Sequence, residues 1–142
     1  MIDQITVFLE NDKGRLSALC KDLGEAGVNM HSLTVADTSD YGLIRIICDR
    51  PVQTLKALTD AGYSASLTKV SAIRVPNRLG GLAELLTTLD EQDVNIEYGY
   101  CFAYRDDSAI DVLKIRNAEQ ALDALVDAGF DVMKPEDIYE VG

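Results

Sequence analysis

Residues 11–16 read Asn-Asp-Lys-Gly-Arg-Leu, and residues 77–82 read Asn-Arg-Leu-Gly-Gly-Leu. Both stretches follow the pattern Asn-x-x-Gly-x-Leu, and they lie 66 positions apart. The similarity extends outward at offsets of 66 and then 67, through Leu19, Leu23, Val28, Asn29, Leu55, Leu58, Ala61 and Gly62 of the first copy. A match over so many spaced positions predicts an internal duplication. We therefore expect two copies of one domain, at residues 1–68 and 69–142.

Each copy begins with a predicted strand and a helix. Ile5, Val7 and Leu9 alternate with Gln4, Thr6 and Phe8 in the first copy, as a strand requires. After the Asn-x-x-Gly turn, apolar residues recur at helical spacing, and we expect one buried face made of Leu16, Leu19, Cys20 and Leu23, and of Leu82, Leu85, Leu86 and Leu89 in the second copy. Gly24 and Gly27 mark the end of the first helix.

The rest of each copy predicts two strands, a helix and a last strand. The paired strands run over 29–36 and 41–48, and over 95–104 and 109–115, with joints rich in Asp and Ser between them. A second helix begins near Pro51, with Val52, Leu55 and Leu58 inward; its counterpart follows Asn117, a candidate N-cap. Last strands open near Tyr63 and Phe130.

The order strand, helix, strand, strand, helix, strand is that of the ferredoxin-like or split βαβ arrangement. The sequence therefore predicts an α+β fold of two βαββαβ domains, each an antiparallel sheet with its helices on one face. Residues 67–75 run nearly continuously from one copy into the next, without a Pro-, Gly- or Ser-rich linker.

Composition excludes several classes of function. The net charge of −11 disfavours nucleic acid and anionic membrane surfaces as partners, because both need clustered Lys and Arg. No apolar run is long enough to span a membrane, and residues 1–4 lack the features of a signal peptide. Cys20, Cys48 and Cys101 are odd in number and widely spaced, so a reduced, cytoplasmic protein is expected.

The Asn-x-x-Gly turn is the strongest candidate for binding chemistry. It lies between a strand end and a helix start, where unpaired N–H groups and the helix dipole suit a carboxylate. Gly14 and Gly80 allow a sharp turn or a close approach of a ligand to the backbone, and Arg15 or Arg78 adds positive charge. The alternative is that Asn and Gly are ordinary turn residues that the duplication copied.

The chain resembles a stand-alone tandem of ACT domains. The resemblance rests on the first strand, the Asn-x-x-Gly-x-Leu turn, the Gly-Val-Asn-Met segment at 27–30 and the Ala-Gly before each last strand. This resemblance implies a regulatory module that binds an amino acid at an interface between two such domains. Two departures are visible: Lys13 and Leu79 replace the Pro that many members have before the turn glycine, and Asp93 replaces Gly27 in the second copy.

The resemblance also implies which residues bind. The turn of one domain offers backbone groups, and the second strand of a facing domain closes the site. Carried onto this chain, the ligand-binding set is Asn11, Asp12, Gly14, Arg15, Leu16, Asn29, Met30, Asn77, Leu79, Gly80, Leu82, Asn95 and Ile96. Asn29 and Asn95 are candidate acceptors for the ammonium group of an amino acid. The first copy is favoured because its Gly-Val-Asn segment is intact.

Catalytic and metal-binding constellations are weak. His31 is the only histidine, and the cysteines suit packing better than nucleophilic or metal-binding roles. No catalytic residue, metal or cofactor is expected. One face of a predicted strand carries four aromatic residues: Tyr98, Tyr100, Phe102 and Tyr104. They either pack the sheet or form the wall of a ligand site or a subunit interface.

Three functions stay open from the residues alone. The first is an allosteric amino-acid sensor, expected as a homodimer, that signals to a partner enzyme or transporter. The second is a regulatory or interaction subunit of an amino-acid metabolic enzyme without a ligand of its own. The third is an enzyme, since a fold does not determine function. An apolar surface patch away from the turns would favour the second.

Overall fold

The computed structural model describes residues 1–10, 12–37, 41–76 and 78–139. By their contacts the residues form two compact units. The first unit comprises Asp3–Thr68 with Ile138–Gly142, and the second comprises Met1–Ile2 with Lys69–Asp137. The start of the chain thus belongs to the second unit and the segment from Ile138 to the first, in contrast to the repeat boundaries in the sequence.

The elements follow the predicted order in both copies. They are β1 (Ile2–Glu10), α1 (Arg15–Glu25), β2 (Met30–Asp37), β3 (Tyr41–Cys48), α2 (Pro51–Asp60), β4 (Ser64–Pro76), α3 (Gly81–Asp90), β5 (Ile96–Tyr104), β6 (Ser108–Ile115), α4 (Ala118–Asp127), β7 (Asp131–Val132) and α5 (Pro135–Ile138). The continuous run predicted around 67–75 is the single long strand β4. It supplies the last strand of the first copy and the first strand of the second.

Each copy has the strand order of the ferredoxin-like arrangement. The first copy reads β2-β3-β1-β4 across its sheet, and the second reads β7-β4-β6-β5. β1 and β2 both pair antiparallel with β3, while β4 and β5 both pair antiparallel with β6. β5 has nine residues where β2 has eight, so the change in repeat offset from 66 to 67 falls in this hairpin, as expected. The predicted α+β fold is confirmed.

Helices cover one face of each sheet because alternate strand residues and one helix face are apolar. The first core contains Ile5, Val7, Leu9, Leu19, Leu23, Ile44, Ile46, Cys48 and Leu58. The second contains Ile73, Val75, Leu85, Leu89, Leu113, Ile115, Ala118, Ala121 and Leu125. Of the described helices, none is long and apolar enough to cross a membrane.

Several local predictions were wrong. Leu16, Leu82 and Val52 were assigned to inner helix faces, but 38%, 50% and 62% of their surfaces are exposed. The first two lie in the opening turn of their helices, and the next turn is the one that is buried, at Leu19 and Leu85. The end of α1 was predicted correctly: the helix continues through Gly24 to Glu25, and Gly27 follows it with a left-handed φ of 72. Asn117 occupies the N-cap position of α4, as predicted, with a left-handed φ of 57 and without a side-chain capping hydrogen bond.

Hairpin chemistry explains the joint between β5 and β6. Asp106 and Asp107 have φ of 56 and 54, and the Ser108 N–H donates to the Arg105 carbonyl at 3.2 Å. Two consecutive left-handed residues make a type I′ turn, whose twist matches antiparallel strands, and Asp tolerates this conformation. The corresponding joint in the first copy, residues 38–40, lies outside the described residues.

Candidate functional site

The two glycine turns have the same backbone geometry. Gly14 has φ 86 and ψ −6, Gly80 has φ 81 and ψ −4, and each is the residue that begins a helix. Such left-handed values suit glycine because a Cβ is disfavoured there. Asn11 and Asn77, the first residues of the two motifs, lie outside the described residues. The two glycines therefore share one backbone conformation at matched positions of the repeat.

Those hydrogen bonds repeat at the same offset as the sequence. The N–H of Asp12 donates to the Glu10 carbonyl at 2.8 Å, and the N–H of Arg78 donates to the Pro76 carbonyl at 2.9 Å. The Gly14 carbonyl accepts from the Ala18 N–H at 3.1 Å. Its counterpart, the Gly80 carbonyl, accepts from the Glu84 N–H at 3.0 Å. The duplication thus preserved a whole turn, including the start of each helix.

Space in front of both glycines is open. A Cβ placed on Gly14 or Gly80 would meet no heavy atom of the described residues within 4 Å. Leu79 is fully exposed, and Leu16 and Leu82 are partly exposed beside the same turns. The N–H of Arg15 donates to the Asp12 carbonyl and that of Gly81 to the Arg78 carbonyl. A small ligand can therefore approach the next two backbone N–H groups of each helix, which have no partner within the helix.

The two turns differ in charge. α1 has no acidic residue in its first turn, so the positive end of its dipole is not compensated there. α3 has Glu84 in its first turn, and Arg78 donates to both carboxylate oxygens of Glu84, at 2.8 and 3.2 Å. This pair neutralises the second turn. At the first turn Lys13 and Arg15 are offset by Glu10 and Asp12, so the two turns differ only in the acid within the helix itself.

A cavity of about 480 Å³ adjoins the second turn. Its lining joins the turn residues Pro76, Arg78 and Glu84 to β4, the β5–β6 hairpin and the start of β7. The volume lies within the usual range for small-molecule pockets, roughly 300–1,000 Å³. The second turn thus has an adjoining cavity, while the first has a helix start without an acidic residue.

Tyr63 lies near Arg15 at the first turn. Its hydroxyl donates to Asp22 at 2.5 Å, and this hydrogen bond, together with burial, raises the pKa of Tyr63 to about 12. Arg15 acts in the opposite direction on the same group. Tyr63 therefore stays protonated at neutral pH and ties the end of α2 to α1.

The predicted second-strand residues lie far from the turn of their own unit. Asn29 and Met30 follow the end of α1, whereas Gly14 precedes its start. Eleven helical residues separate the two groups, about 16 Å at a rise of roughly 1.5 Å per residue. Asn95 and Ile96 stand in the same relation to α3, and Ile96 packs against the second core. One copy alone does not bring both halves of the predicted site together.

Asn29 belongs to a polar cluster that the sequence did not reveal. Its amide donates to Asp49 Oδ2 at 3.0 Å, and the His31 ring donates from Nε2 to Asp49 Oδ1 at 2.8 Å. The corresponding pair in the second copy is Glu97 with Arg116, at 3.0 Å. In the repeat Glu97 corresponds to His31 and Arg116 to Asp49, so the acidic and the basic residue have exchanged strands between the two copies. A position-by-position comparison of charges in the repeat would have found this pair.

The aromatic strand has the expected alternation. Tyr98, Tyr100, Phe102 and Tyr104 are half-buried, and the residues between them are exposed. The Tyr104 hydroxyl donates to the Asp137 carbonyl at 3.0 Å, and the guanidinium groups of Arg74 and Arg105 lie 5.4 and 5.2 Å from its ring centre. Tyr104 therefore has a packing role inside the second unit.

Comparisons with known proteins agree with this architecture. A family model described as an ACT domain pair matches residues 1–141. No curated protein matches the chain in sequence. Protein BT0572 from Bacteroides thetaiotaomicron, known from its crystal structure, is 32% identical, with a TM-score of 0.91 over 98% of this chain and 96% of that one.

More distant solved structures share the fold. The ligand-free regulatory subunit of aspartate kinase from Thermus thermophilus is 19% identical, with a TM-score of 0.62 over 89% of this chain and 92% of that one. The corresponding subunit from Thermus flavus is 20% identical, with a TM-score of 0.60 over 89% and 91% of the two chains. At these identities the likeness concerns the fold alone.

Proposed function

Because this chain belongs to the family of ACT domain pairs, we propose that it is a cytoplasmic amino-acid sensor that regulates a partner enzyme or transporter and catalyses no reaction itself. The observation that carries this proposal is the repeated glycine turn. Gly14 and Gly80 have matching left-handed conformations, matching hydrogen bonds and open space in front of them.

In the proposed complex, the carboxylate of a small amino acid accepts hydrogen bonds from N–H groups in the first turn of α1. The positive end of the helix dipole and the exposed Arg15 favour this negative group. The Leu16 side chain, 38% exposed, offers apolar contact to the ligand. The turn at Gly80 is the second candidate, with an adjoining cavity and with Glu84 in the first turn of its helix.

A homodimer completes the site in this proposal. The turn and the residues at Asn29 lie at opposite ends of α1, so one domain alone does not form the site. In this proposal the second-strand residues come from the facing domain of a second chain. A C2 dimer, the commonest symmetric assembly, brings the same surfaces of two chains together. Ligand binding then shifts the equilibrium between arrangements of the subunits, and the partner responds to that shift. The regulatory subunits of aspartate kinase offer an analogy at the level of the fold.

A thermal-shift screen of the full chain against the twenty proteinogenic amino acids tests the proposal. A ligand that binds the native state raises its stability by RT ln(1 + [L]/Kd), so a true ligand shifts the unfolding midpoint in proportion to the logarithm of its concentration. Isothermal titration then gives the stoichiometry. If none of the amino acids shifts the midpoint or gives heat, the proposal is wrong, and the subunit that binds a partner without a ligand becomes the better interpretation.

A further inference from the structure

One face of β5, at the edge of the sheet in the second unit, carries only small side chains. Gly99, Cys101 and Ala103 are exposed there, on the face opposite the aromatic residues of the same strand. Among the described strands, β5 pairs with β6 alone and comes last in the strand order. One row of its N–H and C=O groups therefore has no strand partner. Residues 98–104 contain neither a charged residue nor Pro, the usual devices that keep an edge strand from pairing.

A buried carboxylate lies beside these small residues. Asp111 is the cross-strand neighbour of Cys101 on one side and of the core residue Ile73 on the other, so its side chain lies on the face that the helices cover. Only 7% of its surface is exposed. Asp111 makes no hydrogen bond or ion pair with any other described residue. Burial raises the pKa of its carboxyl group, since nothing compensates the charged form.

The first copy shows that the fold does not require an acid at this position. Asp111 corresponds to Ile44, and Cys101 corresponds to Val35. Ile44 has the matching neighbours in its own sheet, Val7 and Val35, and belongs to the first core. A carboxylate without a partner is costly at such a place. The cost has a purpose if the partner of Asp111 arrives from outside the chain.

A strand added to β5 can supply that partner. Neighbouring strands lie about 4.8 Å apart, so an added strand would lie about 10 Å from β6. An extended Lys or Arg side chain opposite Cys101 spans this distance together with the carboxylate of Asp111. Gly99 has no side chain and Cys101 a short one, so the path over β5 is not blocked.

A second copy of the chain fits this edge less well than a different protein. Two copies paired strand to strand through the middle of β5 would place an uncharged residue of the segment 98–104 opposite Cys101. Asp111 would then stay without a cation. A basic segment also complements the net charge of −11.

We propose that the edge of β5 binds an extended segment of a partner protein as an added strand, with one Lys or Arg of that segment paired with Asp111. Backbone hydrogen bonds supply affinity in such strand additions, and alternate side chains supply specificity. The residues on the other face of the added strand are apolar, because they lie beside Tyr100 and Phe102. This surface gives a place to the partner of the proposed function and rests on that part of it alone, since it needs no amino acid.

The blocked peptide Thr-Val-Thr-Val-Lys-Val-Thr-Val-Thr is the probe, with norleucine in place of lysine as its control. In amide NMR of the ¹⁵N-labelled full chain, the lysine peptide should shift residues 97–104 and slow their hydrogen exchange. It should bind at least about tenfold more tightly than the norleucine peptide. Unshifted amides at millimolar lysine peptide, or equal affinity of the two peptides, would overturn the proposal. No amino acid is present, so this failure and a failed thermal-shift screen are separate results.

Asp111→Asn should remove the preference for lysine, so that the two peptides bind equally. Asp107→Asn is the matched control, because it removes an exposed acid from the adjoining turn and Asn suits the left-handed φ of 54 there. This variant should keep the preference. Loss of the preference in both variants would indicate a general attraction of charges, and its survival in Asp111→Asn would indicate another contact; either result contradicts the pairing with Asp111.

Cys101→Lys supplies a cation from β5 itself. Its unfolding midpoint should exceed that of Cys101→Gln, and this difference should disappear when Asp111→Asn is added to both. Equal midpoints without Asp111→Asn would mean that Asp111 is out of reach from the edge, and the proposal would fail. Hydrogen exchange of the chain without peptide tests the other occupant. If residues 97–104 are already protected, and the protection disappears as a dimer dissociates on dilution, a second copy covers β5 and the proposal is wrong.

Discussion

Replacement of Gly14 separates a binding turn from a structural one. Gly14→Asn adds a side chain to the open space in front of the turn, where no described atom lies within 4 Å. Its φ of 86 is left-handed, and Asn tolerates that region better than other residues with a Cβ. The cost in folding free energy should stay below about 1–2 kcal/mol, against the roughly 5–15 kcal/mol typical of a native protein. The variant should therefore remain folded.

Binding should respond far more than stability. If the ligand carboxylate accepts hydrogen bonds from N–H groups beside Gly14, loss of even one such charge-assisted bond costs about 1.5–3 kcal/mol, which raises Kd by at least about tenfold. Isothermal titration with an amino acid from the screen measures the affinity, and urea unfolding measures the stability. Gly14→Val, with a β-branched side chain, should lose binding equally but cost more stability.

Gly80→Asn is the matched variant at the second turn. If only the first turn binds, Gly80→Asn keeps the affinity of the unmodified chain while Gly14→Asn loses it. A folded double variant, Gly14→Asn with Gly80→Asn, that binds the amino acid with unchanged affinity would refute the reasoning, because the turns would then be structural only.

Three further predictions concern the fold that supports the site. Leu19→Ala should lower the free energy of unfolding, measured with urea, by about 2–5 kcal/mol because Leu19 is fully buried. Leu16→Ala, on the exposed first turn, should lower it by under about 1 kcal/mol. Equal losses of stability in the two variants would contradict the assigned helix face. Gly99→Val should cost about 1–3 kcal/mol by the same assay, since a Cβ there would lie 2.6 Å from Leu113 Cδ2; no loss would mean that β5 is placed wrongly. Burial raises the pKa of Asp111, so its contribution to stability falls as pH rises through that pKa. Asp111→Asn should therefore be more stable than the unmodified chain at neutral pH, and the difference should vanish as pH falls below the ordinary pKa of an aspartate, 3.8. Stability curves that stay parallel over this pH range would contradict the prediction.

The order of helices and strands could be predicted from the sequence because each element occurs twice, so that a weak pattern in one copy is supported by the matching pattern in the other. The strand predicted at 41–48 matches Tyr41–Cys48, and the long strand over 67–75 is the middle of β4. Apolar spacing also identified Leu19, Leu23, Leu85 and Leu89 as core residues. These are long, periodic patterns in which local preference and tertiary burial agree.

The burial of polar residues could not be predicted in the same way. Gln4 and Thr6 alternate with apolar residues in β1, which predicts a solvated face, yet both are buried. Gln4 donates to Thr6 at 3.0 Å, and the Thr6 hydroxyl lies 3.1 Å from that of Thr68. Alternation alone does not tell whether the polar face of a sheet is covered, since that depends on partners distant in the sequence.

The candidate site was only partly accessible from the sequence. The turn glycines were found by repetition, and their left-handed conformation explains why only glycine occurs at both positions. The Asp49 cluster was missed because His31 was considered alone, without the residue eighteen positions away that holds it. Pairing across strands depends on register, and register is set by the whole sheet.

The central claim, that the glycine turns bind an amino acid, is tested most directly by a crystal structure of the full chain with the amino acid that the thermal-shift screen selects. We predict density for its carboxylate within hydrogen-bond distance of the backbone N–H groups of residues 16–17 or 82–83, with a second copy of the chain closing the site. A structure at saturating ligand in which both turns are empty, and the amino acid lies elsewhere, would contradict the account.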